Sequence, residues 1–191
     1  MSTNNYRISE EEKQFAIAHL TRTGEEFIDS IRDINEKQWY MRPGPGQWSA
    51  AECADHLLQT ELYFFMPTIQ KMLAEPADPD RRSETQGKDE VSYQSMENRT
   101  FKIKGQPWEE SSETVIDKAA LIEGFSAKRK EIIEWLRQSD DELRVHYTSF
   151  PGLETIDVYQ FILMISGHTT RHTGQINDIK ELEFFQQAVS A

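Results

Sequence analysis

A chain of 191 residues has the size of one domain and can bury roughly 70% of its unfolded surface, so a single core needs no covalent staple. Thirty-three acidic against 21 basic residues leave a net charge of -12, a field that repels a phosphate backbone and sets nucleic acid aside as a partner. No run approaches the roughly 20 apolar residues of a membrane span, the first residues lack the layout of a signal peptide, and the single cysteine, Cys53, excludes an internal disulfide framework; the expectation is a cytoplasmic protein without a membrane partner.

Four stretches carry a helical three-four apolar period and none shows the sustained alternation of a strand, which predicts an all-α four-helix bundle filling residues 1–191 as one domain. The first helix opens at Ser9, where Glu12 completes a capping box, and its seam reads Ile17, Leu20, Gly24, Phe27, Ile31, Ile34. Pro43-Gly44-Pro45-Gly46 breaks the pattern. A second capping box, Ser49 with Glu52, opens a helix toward Ala74, with Trp48 placed to staple against Cys53 and Pro67 predicting a kink near Phe65 and Met66. From about 75 to 111 the chain is polar and rich in Pro and Gly, with scattered anchors in Tyr93, Met96, Phe101, Ile103 and Trp108; this predicts one long crossover connection. The third helix is expected from about Ser112 to Gln138, and the fourth from an N-cap at Thr155 to about Phe185.

The seam of the fourth helix reads Val158, Phe161, Ile165, His168, His172, Gln175, Ile179. Burying an imidazole without a partner costs about 1 to 3 kcal/mol, so two histidines one turn apart in a seam require a compensating interaction, and a shared metal is one. His-x-x-x-His also arises by chance in helices. His56, in the second turn of the second helix, borders that helix's apolar stripe; alone it reads as a hydrogen-bonded boundary residue, but with His168 and His172 it completes three neutral nitrogen ligands and leaves a coordination position open.

The run from Gly44 to Glu52 leading to His56, together with Gly167-His168-Thr169-Thr170-Arg171-His172-Thr173-Gly174-Gln175-Ile176, resembles the DinB-like superfamily, which includes the YfiT-type proteins. The resemblance covers nearly the whole chain in length, helix count and motif order, and is specific in these two motifs. It implies an up-down-down-up bundle, often dimeric, in which His56, His168 and His172 match the family's metal ligands. It also implies thiol-dependent chemistry, since some known members transfer small thiols to electrophiles and one type is a thiol-dependent isomerase.

Glu52 is explained by its capping box, with a catalytic base as the alternative; Gln175 is a candidate to orient a ligand, with packing as its alternative. Cys53 is expected in the core, Arg171 in a surface salt bridge, and His19 and His146 at the surface or boundary. Tyr93 and Trp108 either close over the site or pin the connection, and Gly167 and Gly174 suggest close approach of a neighbouring helix. The leading functional expectation is a metal-dependent enzyme, a thiol S-transferase or a hydrolase, acting on small electrophiles with zinc or nickel foremost as the metal. The alternative is a non-catalytic bundle that binds a small ligand or a metal, and a plain dimerising bundle stands behind both.

Overall fold

The computed structural model describes residues 6–98 and 116–188. Helix α1 spans Glu10–Arg32, with the Ser9/Glu12 capping box formed as expected. A one-turn helix, α2 (Glu36–Trp39), is capped by Asn35 and Gln38 in the same reciprocal way. Helix α3 (Ala50–Thr60) starts on the Ser49/Glu52 box and continues through a π-helical turn, Glu61–Phe65, into α4 (Met66–Ala74). The irregularity expected near Phe65 and Met66 takes the form of this π turn, immediately before Pro67. Pro67 has no N–H to donate, and the preceding Met66 N–H bonds back to the Glu61 carbonyl, five residues away.

The crossover is more ordered than its composition predicts. It carries a 3-10 turn, Pro79–Glu84, and a helix α5, Asp89–Glu97, which packs along the last bundle helix. Phe101, Ile103 and Trp108 lie outside the described residues. Helix α6 runs Lys118–Gln138 on an Asp117 cap, six residues later than the expected start. An antiparallel hairpin follows, β1 (Tyr147–Phe150) with β2 (Glu154–Asp157), turning at Gly152 with φ +83°. The expectation of no strand fails here because each strand is four residues long, too short for alternation to register. The hairpin also relocates the last cap: Thr155 is in β2, and Asp157, boxed with Gln160, opens α7 (Val158–Lys180). Helix α7 stops at Lys180, and a separate turn, α8 (Glu183–Gln187), carries Phe185.

Side-chain contacts fix the helix directions. Tyr159 Oη donates to Glu12 O and Lys180 Nζ to Ser30 O, so α7 runs parallel to α1. Lys13 Nζ reaches Ser139 O while Lys118 Nζ reaches Ile34 O, so α6 is antiparallel to α1. Phe65 packs on Phe161 and Trp48 on His172, so α3–α4 is antiparallel to α7. The order is up-down-down-up, an all-α four-helix bundle in which two parallel neighbours require the long crossover.

The apolar interior is in two parts. One cluster, near the hairpin, includes Leu20, Phe65, Ile69, Ile132, Phe161 and Ile165; the other includes Phe27, Ile31, Cys53, Leu57, Phe125 and Ile176. Between them lies a buried polar belt of Thr23, Glu61, Arg129, His168, Thr169 and His172.

Candidate metal centre

Helices α3 and α7 bring the three expected histidines together. His56 Nε2 lies 3.2 Å from His168 Nε2, and His172 Nε2 lies 3.1 Å from the same atom. The candidate ligand atoms of all three lie within 4.8 Å of one another. His168 and His172 are buried and His56 is half-buried.

Hydrogen bonding alone does not account for this convergence. A neutral imidazole Nε2 has either one proton or one lone pair, so His168 Nε2 cannot make a full hydrogen bond to both neighbours. A shared cation satisfies all three lone pairs. Two nitrogens held about 2.1 Å from one ion at a tetrahedral angle would be ~3.4 Å apart, close to the separations seen. Burial, and then the positive potential of His172 and His56, hold the His168 pKa well below its ordinary value, which keeps it in the neutral form that ligation needs. The donor set therefore fits a divalent transition metal.

Aromatic rings wall the site. Trp48 sits 4.8 Å from the His56 ring and stacks on His172 at 5.9 Å and 22°, while Phe65, from the π turn, lies 5.6 Å from His168. The predicted apolar staple at Trp48 thus faces the imidazoles. Thr60 fixes the His56 turn by donating to the His56 carbonyl at 2.6 Å.

Glu52 is committed elsewhere. Its carboxylate accepts the Ser49 backbone N–H at 2.9 Å, the Arg42 Nε–H at 2.9 Å and a further Arg42 Nη2 bond. Burial pushes its pKa up, but Ser49 and Arg42 outweigh that and hold it below the ordinary carboxylate range. A group so stabilised as an anion is a poor proton acceptor, so this geometry supports the capping role rather than a catalytic base. Gln175 is half-buried one turn beyond His172, and its Oε1 has no hydrogen-bond partner among the described residues. Cys53 packs in the apolar core below the site and stands outside the three-histidine group.

The other candidates serve the scaffold. Tyr93 is on α5, where its hydroxyl meets Thr170 Oγ1 at 3.2 Å and its ring meets His19 edge-on at 5.4 Å, so it pins the connection. Arg171 donates to the Asn98 carbonyl at 2.5 Å, at the C-terminal cap of α5. His146 is half-buried beside the hairpin, and its carbonyl accepts the Val158 N–H. Gly167 does mark a close approach: a Cβ there would lie 2.2 Å from Tyr93 O. Gly174 does not, since a Cβ would meet nothing within 4 Å.

Sequence reasoning missed Glu61, Arg129 and Thr169, which are buried beside the ligands. A signal was present. Arg129 continues the stripe Leu121, Phe125, Ile132, and Glu61 stands between Leu57 and Phe65, so each puts a charge where the period calls for an apolar residue.

Fold and site together define an up-down-down-up four-helix bundle with a three-histidine pocket between its second and fourth bundle helices. Residues 19–176 match the DinB superfamily, and the chain belongs to that superfamily. A similar curated protein is YuaE of Bacillus subtilis (strain 168), described as uncharacterized, 22% identical over 153 residues that span 80% of this chain and 90% of YuaE. Among solved structures, YfiT from Bacillus subtilis superposes with a TM-score of 0.60 at 15% identity, over 91% of this chain and 88% of that one. YfiT is described as a probable metal-dependent hydrolase with an unusual four-helix bundle topology, and the likeness establishes the shared fold.

Proposed function

We propose that His56, His168 and His172 hold one divalent transition metal, zinc or nickel foremost, and that the protein is a metal-dependent hydrolase acting on a small electrophilic molecule. The observation that carries this is the convergence of three Nε2 atoms on one point, with His168 held neutral. The description of YfiT as a probable metal-dependent hydrolase supports the same reading. When bound, such a metal supplies Lewis acidity, polarising an electrophile and lowering the pKa of a nucleophile.

The protein's own contribution is orientation and exclusion of water. Three imidazoles from two antiparallel helices would supply three of the four ligands of a tetrahedral ion and leave the fourth position to water or substrate. The Trp48 and Phe65 rings give the opening apolar walls suited to the carbon frame of a small substrate. Gln175 Oε1, on the same stripe of α7, serves as an acceptor for a substrate N–H or O–H.

The state of Glu52 favours a second nucleophile. With that carboxylate tied to Arg42 and the cap, a small thiol, acidic enough to be used as its thiolate without a protein base, is the alternative to water; the protein would then be an S-transferase. In either case the partner is a small molecule rather than nucleic acid or membrane, and the setting is a cytoplasmic homodimer. Among the described residues, no helix is long and apolar enough to cross a membrane.

Metal-reconstituted protein assayed on small activated esters and on an aryl halide, each with and without an added small thiol, separates the readings. Thiol-independent ester cleavage that His56→Ala reduces at least a hundredfold supports the hydrolase; turnover only with thiol shifts the assignment to S-transfer. Turnover unchanged in His56→Ala would overturn both.

A further inference from the structure

Three of the four bundle helices meet at one side chain of the fourth. Arg129, on α6, is 4% exposed, and its five N–H groups have five acceptors. Nη1 donates to the Leu20 carbonyl at 2.7 Å and to Thr23 Oγ1 at 3.2 Å, both on α1. Nη2 donates to Thr169 Oγ1 at 2.8 Å, on α7, and to Glu61 Oε1, in the π turn, while Nε faces Glu61 Oε2 at 3.4 Å. The two threonine hydroxyls donate onward to His19 O and Ile165 O in their own helices, which leaves their lone pairs to Arg129. Phe125 supports the guanidinium carbon from 4.9 Å.

The acceptors stand in register with the ligands. Thr169 follows His168 directly. Glu61 follows Thr60, whose hydroxyl holds the His56 turn, and it accepts the Met66 N–H bond that closes the π turn carrying Phe65 against His168. The α6 helix contributes no histidine to the group, yet its arginine clamps both helices that do.

The geometry points to Arg129, fixed by Glu61 and Thr169, as a positioning residue that sets the spacing between the His56 helix and the His168–His172 helix, and so the coordination geometry the three nitrogens offer. This rests on the metal reading above and deepens it. A planar fork with five directed donors fixes two helices in rotation as well as distance, which an apolar contact does not. The site is then tuned from a helix that never touches the metal, as outer partners tune ligands elsewhere.

The test uses metal-free full-length protein titrated with Zn2+ by competition and with Co2+ by visible absorption, with melting temperature recorded alongside. The double variant Glu61→Met, Arg129→Met removes the charge pair while keeping side-chain bulk, a replacement that buried ion pairs often tolerate. Expected is a folded protein with Zn2+ affinity weaker by about 10- to 100-fold and altered Co2+ bands. Thr169→Val removes one acceptor, leaves the ion pair, and is expected to lose about tenfold; it decides alone if the double variant does not fold. Wild-type affinity and wild-type Co2+ bands in the folded variants would overturn the inference while leaving the metal site standing. Wild-type protein that binds neither ion would overturn the metal reading and this inference with it.

Discussion

His168 Nε2 faces two other ring nitrogens at hydrogen-bond distance inside a buried belt, and its protonation follows from that setting. Burial first, then the potential of its neighbours, lowers its folded pKa well below 6.5. The unfolded chain then takes up a proton that the native protein refuses, so the stabilising term is fully present above a pH of about 6.5 and is lost as the pH falls from there toward the folded pKa. Melting temperatures of the metal-free protein between pH 8 and 5 should therefore drop more steeply for wild type than for His168→Gln, which has no proton to gain. Parallel slopes would show that His168 is not held neutral. Bound metal should leave over the same acidic range, because protons compete for the nitrogens.

The elements were legible where a cap or a long period marked them. Ser9, Ser49 and the seam from Ile17 to Ile31 predict α1 and the start of α3 correctly, with Ile34 buried just past the end of α1, because capping boxes and three-four spacing are local signals. Helix α5 was not legible. Its sequence, DEVSYQSME, buries only Ser92 and Met96, and what holds it is tertiary: the backbone of Tyr93 lies against Gly167. The two glycines of α7 accordingly divide. Gly167→Ala drives a Cβ into Tyr93 O and should cost about 1 to 3 kcal/mol or expel α5, while Gly174→Ala enters open space and should stabilise by about 0.5 to 1 kcal/mol. Chemical denaturation of both variants checks the pair, and equal effects would contradict the docking of α5.

Arg144 ties the same segment to the bundle from the hairpin end. It binds Asp89 with both Nη atoms, at 2.9 and 2.8 Å, reaches Asp157 at 3.2 Å and pairs with Glu12, joining α5, the α7 cap and the α1 cap. Asp157 is fully buried, and burial raises its pKa despite Arg144. Arg144→Ala would remove its closest counter-ion and leave only the more distant Arg82, at 3.9 Å, at a cost of about 3 kcal/mol, measurable as a lower denaturation midpoint. The hub was missed because its members are far apart in sequence and each alone looks like a solvated charge.

Across the whole molecule, an apolar core cut by a polar belt explains both what the sequence showed and what it hid. His168 and His172 were readable because they interrupt an apolar seam, and His56, at the border of its stripe, only in combination with them; Arg129 and Glu61 interrupt their stripes in the same way as the pair, but a charge on a helix is common enough to pass as surface. The belt places a three-nitrogen pocket and the clamp behind it at one level of the bundle, between two clusters that hold the helices above and below. The proposed homodimer belongs to this scale too, and light scattering should give twice the 22.3 kDa of the chain. The metal proposed at the centre of this belt can be counted directly. Elemental analysis of the purified protein, stripped and reloaded with zinc or nickel at neutral pH, should find about one ion per chain in wild type and almost none in the His168→Ala, His172→Ala double variant. Stoichiometric metal in the double variant, or none in reloaded wild type, would contradict the proposed site.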